Sequence, residues 1–549
     1  MSIADQNALA EQFAAYRAGR HAVESTELPA TVPELLWRAE QRFGDAEAIH
    51  FIEDGKQLTF SELACSVRRM ADSLWRLGVR HGTHVAVMLP NRIEYPVTWL
   101  ALATLGAVMV PVITSYTARE LQFLVEDADV SFLVIDSAYR ERLDDASWAD
   151  RVKPVLIAVG ATEDAADGPN NFHELLRAGS DDFVPPEGPR ADDLLNIQYT
   201  SGTTGLPKGV MQSHRFWIQA GCTPMLYWKQ LGIRRILSDH PFHYIDPQWM
   251  LLAGLYGGAH VDYTRRMSVR HFMGWLKERG SNLAWFPDPL LKLQESPAEK
   301  DHQVKVFLAY HFSAEMLKEG QRRFGARFSE AYGMTEIGLG LSVPSEVSDE
   351  AALGTCGLPG PWREARIVGE DGQDVPRGQP GELWIRGAGI FDGYYKRPQA
   401  NAASFVDGWF RTGDVFMQDE RGYYRILGRL KDMIKRSGEN ISATEVEQVL
   451  RELDQVEDVA AVPVPDDARD EEVKVYLMLH EGVDASALPP EAVLAHCAAR
   501  LAKFKIPRYI AYVDDLPYTP SEKVAKHRLI KGVEDLRTGA YDAVERVWR

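Results

Sequence analysis

The chain has 549 residues, more than one hydrophobic core usually serves, so a large body of subdomains and a smaller separate domain are expected. Hydrophobic residues make up 45% and charged residues 26%, with aromatic side chains along the whole length, which excludes a disordered chain. A formal net charge of -18 argues against nucleic acid or an anionic membrane as partner, and the four scattered cysteines (Cys65, Cys222, Cys356, Cys497) form no CxxC pair, which argues against a structural zinc or a disulfide framework and suits a cytoplasmic protein.

The first twenty residues carry acids early and no apolar run, so no signal peptide is expected. An amphipathic helix follows over 33–43, then a strand over 85–89, a helix over 93–105 and a strand over 108–113. The apolar run 97–113 contains Pro111 and is short for a membrane span, so it reads as a buried helix leading into a strand. Residues 161–188, rich in Asp, Gly, Pro and Ala, read as a solvated excursion, and 194–199 as the next strand. This alternation predicts an α/β fold: a large N-terminal body of βαβ-type subdomains with packed sheets over 1–428. Past Gly428 the pattern becomes a helix (443–452), two strands (456–464, 473–480), a helix (490–501) and a strand (509–513). That is a small α+β C-terminal domain over 433–549, joined by a short polar hinge at 429–432.

The sharpest motif directly follows the strand at 194–199: Tyr199-Thr200-Ser201-Gly202-Thr203-Thr204-Gly205-Leu206-Pro207-Lys208-Gly209. Glycines let successive N–H groups converge on one anion, hydroxyls add donors and the lysine adds a point charge, a composition suited to a polyphosphate. The P-loop spacing fails, because Gly205 comes three residues after Gly202 and Gly209 stands where Ser or Thr should follow Lys208. A mobile surface turn is the alternative, though such turns rarely combine so many hydroxyls with a lysine.

This loop resembles the signature of the adenylate-forming superfamily: acyl-CoA synthetases, beetle luciferases and peptide-synthetase adenylation domains. Further motifs resemble that family in order: Leu89-Pro90-Asn91, Tyr332-Gly333-Met334-Thr335-Glu336, Gly381-Glu382-Leu383-Trp384-Ile385-Arg386-Gly387, Arg411-Thr412-Gly413-Asp414, Gly428 to Asp432, Ser437-Gly438-Glu439-Asn440, and Pro517 to Lys523. The resemblance implies an acyl-CoA synthetase that uses ATP, Mg²⁺ and coenzyme A. It implies that Thr200, Ser201, Gly202, Thr203, Thr204, Gly205 and Lys208 grip the departing pyrophosphate, that Thr335 bonds the α-phosphate, and that Glu336 holds the metal. Tyr332 would stack on adenine, Asp414 would accept the ribose hydroxyls with support from Arg429, and Lys523 would bridge acyl carboxylate and ribose during adenylation. The small domain would rotate about Lys431, bringing Ser437, Gly438 and Glu439 to the pantetheine channel. A homodimer is a further family-level expectation.

Two departures bear on specificity. Glu522 precedes the lysine where the family usually has glycine, which leaves that loop's conformation open, and Tyr310, His311 and Phe312 replace small residues beside the acyl pocket, implying a pocket shorter or differently shaped than one for long fatty acids. His243 and Tyr244 resemble the segment that gates the carboxylate pocket, and His240, Asp246 and Gln248 make its surroundings polar. Either these groups satisfy one another or a substrate with a second polar function satisfies them. The stretch Pro241–Asp246 is also similar to crotonobetaine/carnitine-CoA ligase-like members, over too few residues to name a substrate. The competing readings are a stand-alone adenylation enzyme that loads a carrier protein and a nucleotide-binding pseudoenzyme. The latter predicts loss of Lys208, Glu336, Asp414 or Lys523, and all four are present.

Overall fold

The computed structural model describes residues 3–144, 148, 154–160, 170–200, 207–310, 312–344, 350–437, 439–519 and 523–549. The chain forms two compact units, one made of 1–200, 208–364 and 385–408, the other of 201–207, 365–384 and 409–549. The sequence-derived junction at 428–429 falls inside the second of these.

The first unit is built on two sheets. In one, five parallel strands run in the order Val155–Val159, Phe132–Asp136, His84–Met88, Val108–Pro111 and Leu194–Thr200, and the last pairs antiparallel with Lys208–Ser213. In the other, Arg327–Met334, Val306–Ala309, Leu283–Trp285, Arg235–Ser238, His260–Tyr263 and Glu47–Phe51 lie parallel side by side, with antiparallel strands beyond both ends. The helices Val32–Phe43, Phe60–Leu77, Glu94–Thr104, His214–Tyr227 and Ile245–Gly257 share one apolar cluster with residues of both sheets, such as Val85, Val87, Ile236 and Val261, so these helices lie between the sheets. Helix Ala118–Asp127 covers the outer face of the first sheet, and Val269–Arg279 and Ala314–Phe324 cover that of the second. Cover on both faces explains why these strands read as continuous apolar runs.

Local chemistry starts and stops these elements. Thr59 and Glu62 form a reciprocal capping box at the start of Phe60–Leu77, and Gly78, at φ 104°, ends that helix. The apolar run at 97–113 becomes the fully buried helix Glu94–Thr104 followed by the strand Val108–Pro111, as expected. Residues 161–188 depart from the solvated reading: of the described part, Phe172–Ala178 is a helix capped by Asn171. It buries Phe172 and His173 and is tied to the neighbouring helix by the Ser73 hydroxyl donating to Leu175 O at 2.6 Å. Its two helical turns were masked by the polar residues around them. Among the described residues no helix is long and apolar enough to cross a membrane.

In the second unit, Glu439–Ser442, Met433–Arg436, Asp470–Leu479, Tyr509–Val513, Tyr541–Asp542 and Val547–Trp548 form a sheet, with Val456–Asp466 paired on Asp470–Leu479. Helices Ala443–Arg451 and Pro490–Ala498 pack on it through Val446, Leu450, Val493 and Cys497. A separate antiparallel ladder pairs Trp409–Gln418 with Tyr424–Arg429.

The contact between helices His214–Tyr227 and Ile245–Gly257 depends on Gly221, where an added Cβ would collide with Leu252. Gly221→Val is expected to destabilise the first unit by about 1–3 kcal/mol through overpacking. A urea midpoint equal to that of the parent protein would disprove this reading of the interface.

Candidate active site

Parallel strands bring their following loops to one edge of a sheet, and the chemistry of the first unit gathers there. Asp239 and His240 follow Arg235–Ser238, Trp285 ends its strand, Tyr310 follows Val306–Ala309, and Thr335 and Glu336 follow Arg327–Met334. In the other sheet Thr200 ends its strand, and its antiparallel partner begins with Lys208, in register with it. Ser201, Gly202, Thr203, Thr204 and Gly205 lie outside the described residues.

Glu336 is buried, and its carboxylate accepts the Tyr394 hydroxyl at 2.9 Å. The Lys208 ammonium stands 4.8 Å from the centre of the Tyr394 ring. Tyr394 is held there by backbone: Met211 N–H donates to Gly393 O at 3.0 Å, Tyr395 N–H to Gly209 O at 2.8 Å, and Phe391 N–H to Glu336 O at 2.7 Å. Arg363 fastens the same region from beneath, donating to Ile337 O at 2.9 Å and Gly389 O at 3.0 Å. Burial alone lowers the Arg363 guanidinium to about 10. Gln212 Nε2 donates to Thr335 O at 2.7 Å, which ties the strand after the phosphate loop to the Thr335–Glu336 turn. Tyr332 is buried and its hydroxyl donates to the Met334 sulfur.

The segment 240–244 is fixed by carboxamides. Asn91 donates to His240 O and to Thr264 O, both at 2.8 Å, and accepts Phe242 N–H at 2.6 Å, which gives the Leu-Pro-Asn motif a structural task. Trp99 donates to Asn196, Asn196 to Gln248 and Gln248 to Phe242 O, while Gln198 Nε2 donates to His243 O. Gln248 is thus consumed within the protein, and Asp246 accepts Trp249 Nε1 at 2.9 Å. Among the described residues Gln198 Oε1 and Trp285 Nε1 are buried without a hydrogen-bond partner. His243 is buried, and its ring centre lies 4.4 Å from that of Tyr244. Tyr310 keeps open surface, whereas Phe312 packs into the core beside Phe286 and Phe328. His311 lies outside the described residues.

In the second unit Glu382 organises the turn that carries Asp414. Its carboxylate accepts Trp384 Nε1 at 2.9 Å, Arg411 Nε at 3.0 Å and Gly413 N–H at 3.1 Å, and Thr412 Oγ1 donates to Leu383 O at 2.7 Å. Gly413 takes φ 72°, a conformation glycine adopts without strain. Asp414 is buried, sits in register with Arg429 and pairs with its Nε at 2.9 Å. The Lys523 ammonium is held below its ordinary value by burial first and by the Arg429 charge second, with Asp414 pulling the other way. Lys523 as a whole is exposed, so the crowding is local to its charged end. Lys431 is exposed within the single 3-10 turn Leu430–Asp432. Ser437 adopts φ 54°. Glu439 begins a strand paired with Arg436, while Gly438 and Glu522 lie outside the described residues.

Sequence reasoning missed Tyr394, Arg363, Gln198 and Trp285. Trp285 was findable as the last residue of a strand flanked by parallel partners. Tyr394 carries no local signal, because its role depends on pairing with a strand far back in the chain.

Residues 36–395 match the model of the AMP-binding enzyme family, and residues 445–523 match that of the AMP-binding enzyme C-terminal domain. The chain belongs to the AMP-binding enzyme family. A crotonobetaine/carnitine–CoA ligase of Salmonella arizonae is 30% identical over 490 residues, covering 86% of this chain and 93% of that one. ATP-bound MatB from Rhodopseudomonas palustris superposes with a TM-score of 0.80 at 27% identity, covering 90% of this chain and 98% of that one. The o-succinylbenzoate coenzyme A synthetase MenE from Bacillus subtilis, in complex with ATP and magnesium ion, gives 0.76 at 27% identity, covering 90% of this chain and 99% of that one. Within the family this chain is an acyl-CoA synthetase, an ATP-dependent acid–thiol ligase.

Burial lowers the His243 imidazole to about 3 and the His214 imidazole to about 4. Both rings titrate near pH 6.5 in an unfolded chain, so below that pH the unfolded state binds more protons, and stability falls by up to about 1.4 kcal/mol per pH unit for each ring. The urea midpoint is expected to drop between pH 7 and pH 5, less steeply in His243→Gln; identical slopes for the two proteins would contradict a neutral, buried His243.

Proposed function

We propose that this synthetase activates a short carboxylic acid bearing a second polar function, forming its acyl-AMP with release of pyrophosphate, then transfers the acyl group to coenzyme A with release of AMP. An anionic carboxylate must attack an anionic phosphate, so converging cations and donors are the first requirement. The observation that carries the reading is the pairing of the buried Asp414 carboxylate with Arg429, brought together from two separate motifs.

In this reading Asp414, an acceptor-only carboxylate, takes the ribose hydroxyls while Arg429 steadies it. Lys523 bridges the acyl carboxylate and the ribose. Lys208, with the hydroxyls of Thr200, Ser201, Thr203 and Thr204 and the glycines Gly202 and Gly205, holds the pyrophosphate. Thr335 bonds the α-phosphate and Tyr332 flanks adenine.

The Glu336 carboxylate, oriented by the Tyr394 hydroxyl, offers the hard oxygen that Mg²⁺ prefers, so the donor set fits that ion. Bound there, Mg²⁺ would neutralise phosphate charge.

Lys431 serves as the hinge, and Ser437, Gly438 and Glu439 meet the pantetheine arm once Lys523 withdraws. On the acyl side His243 and Tyr244 gate the carboxylate, and Tyr310 with His311 limits the pocket's depth, whereas Phe312 packs into the core. Gln198 Oε1 and Trp285 Nε1, buried without a partner among the described residues, support an acid with a polar substituent over a plain hydrocarbon. The four cysteines are free thiols, which suits a cytoplasmic enzyme, and the family resemblance extends to a homodimer.

Lys523→Ala is expected to slow adenylate formation by on the order of a hundred- to a thousand-fold while sparing thioester formation from supplied acyl-AMP. Equal loss in both half-reactions would remove the bridging role. Lys431→Pro, which fixes φ and removes an N–H, should slow the second half-reaction selectively, and an unimpaired second step would refute the hinge. Pyrophosphate release with and without coenzyme A tests the acceptor: acids adenylated without coenzyme A being consumed would favour a carrier protein.

A further inference from the structure

We propose that the N-terminal helix Ile3–Glu24 braces the carboxylate that holds the metal, with Glu24 as a positioning residue acting on Glu336 through Trp362 and Arg363. The proposal rests on the reading that Glu336 binds Mg²⁺, and it concerns a segment outside the 36–395 match to the family model.

The helix is fastened at two points to the loop that precedes Arg363. The Tyr16 hydroxyl donates to Pro359 O, and Trp362 N–H donates to Glu24 Oε1 at 2.8 Å. The same Glu24 oxygen accepts Arg20 Nε at 2.7 Å, so a side chain one helical turn back holds the carboxylate in place. Tyr16 and Val23 are buried, so this face of the helix is packed against the body.

Two costly features meet where the helix lands. Trp362 takes φ 55°, a left-handed conformation that residues other than glycine rarely adopt. Its carbonyl is pressed against Gly387, where an added Cβ would lie 1.8 Å from Trp362 O. Arg363 follows, buried among neutral oxygens: Ala388 O at 2.6 Å, Ile337 O at 2.9 Å, Gly389 O at 3.0 Å and Gln219 Oε1 at 3.3 Å. A strained backbone beside a buried charge persists only where its surroundings over-determine it, and the Glu24 carboxylate supplies one of those constraints.

Arg363 passes the constraint on to the site. Ile337 directly follows Glu336, and Gly389 stands two residues before Phe391, whose N–H donates to Glu336 O at 2.7 Å. Further along that segment the Tyr394 hydroxyl donates to the Glu336 carboxylate at 2.9 Å. A loosened Trp362 would therefore shift both the residue that bears the metal carboxylate and the segment that orients it. Groups that orient a metal ligand tune its affinity for the ion without touching the ion themselves.

The test is the affinity of the full chain for ATP, measured by calorimetry with Mg²⁺ and again with EDTA, so that no acid substrate is needed. Glu24→Ala is expected to weaken ATP binding about tenfold in Mg²⁺ and to leave it unchanged in EDTA. Glu24→Gln, which keeps an acceptor oxygen for Trp362 N–H, should restore most of the loss, and Tyr16→Phe should show the same Mg²⁺-selective pattern in milder form. A helix that only stabilises the fold would lower the urea midpoint while weakening both affinities alike or neither, and either result overturns the proposal. Should Glu24→Ala fold poorly, Tyr16→Phe, which removes a single oxygen, decides between the same outcomes. Loss of Mg²⁺ dependence in Glu336→Gln but not in the helix variants strikes the brace alone. A Glu336→Gln protein that keeps the parent's Mg²⁺ dependence strikes the metal reading and the brace with it.

Discussion

Parallel pairing is the constraint on which the rest of the molecule depends. Strands that run the same way end on the same side, so residues as distant in sequence as His240, Trp285, Tyr310 and Glu336 meet at one edge without any local signal between them. Such sheets need cover on both faces, and the helices that provide it are consumed as packing. The loops at the carboxyl edge are therefore the positions free to carry chemistry.

Buried polar groups give that edge its rigidity. Asn91, Asn196 and Gln248 spend their hydrogen bonds on backbone carbonyls, a backbone N–H and one another, so the segment that presents His243 is fixed without any ligand. Arg363 does the same beneath Glu336, with carbonyls as partners for its buried guanidinium. A half-satisfied network costs more than an apolar core, so pairing of this kind is a requirement of burying these groups. Much of the polar character around His243 thus serves to hold the backbone.

The second unit repeats this logic with a single carboxylate. Glu382 accepts three hydrogen bonds and sets the turn at 411–413, so Asp414 arrives opposite Arg429 on the paired strand. That explains why two motifs some thirty residues apart accompany each other: one is the scaffold of the other. Lys523 is added to this pair from the far end of the chain, its charge made less favourable by crowding and by Arg429.

The order and composition of the motifs, together with the alternation of apolar runs, determined the α/β class, the small C-terminal module and the family, because glycine turns, strand periodicity and charged loop residues are local properties. Helix Phe172–Ala178 escaped notice because one short apolar stretch cannot outweigh polar flanks until a neighbouring helix covers it. The acyl side was legible only in part. Residues 240–248 announced a polar segment, but whether Gln248 or Asp246 faced a substrate depended on which partners lay within hydrogen-bonding reach. Tertiary structure alone decided that Tyr394 meets Glu336 and that Phe312 turns into the core while Tyr310 keeps open surface. The physical reason is that a side chain's surroundings are set by strands adjacent in the sheet, and that adjacency is a long-range outcome no local pattern encodes.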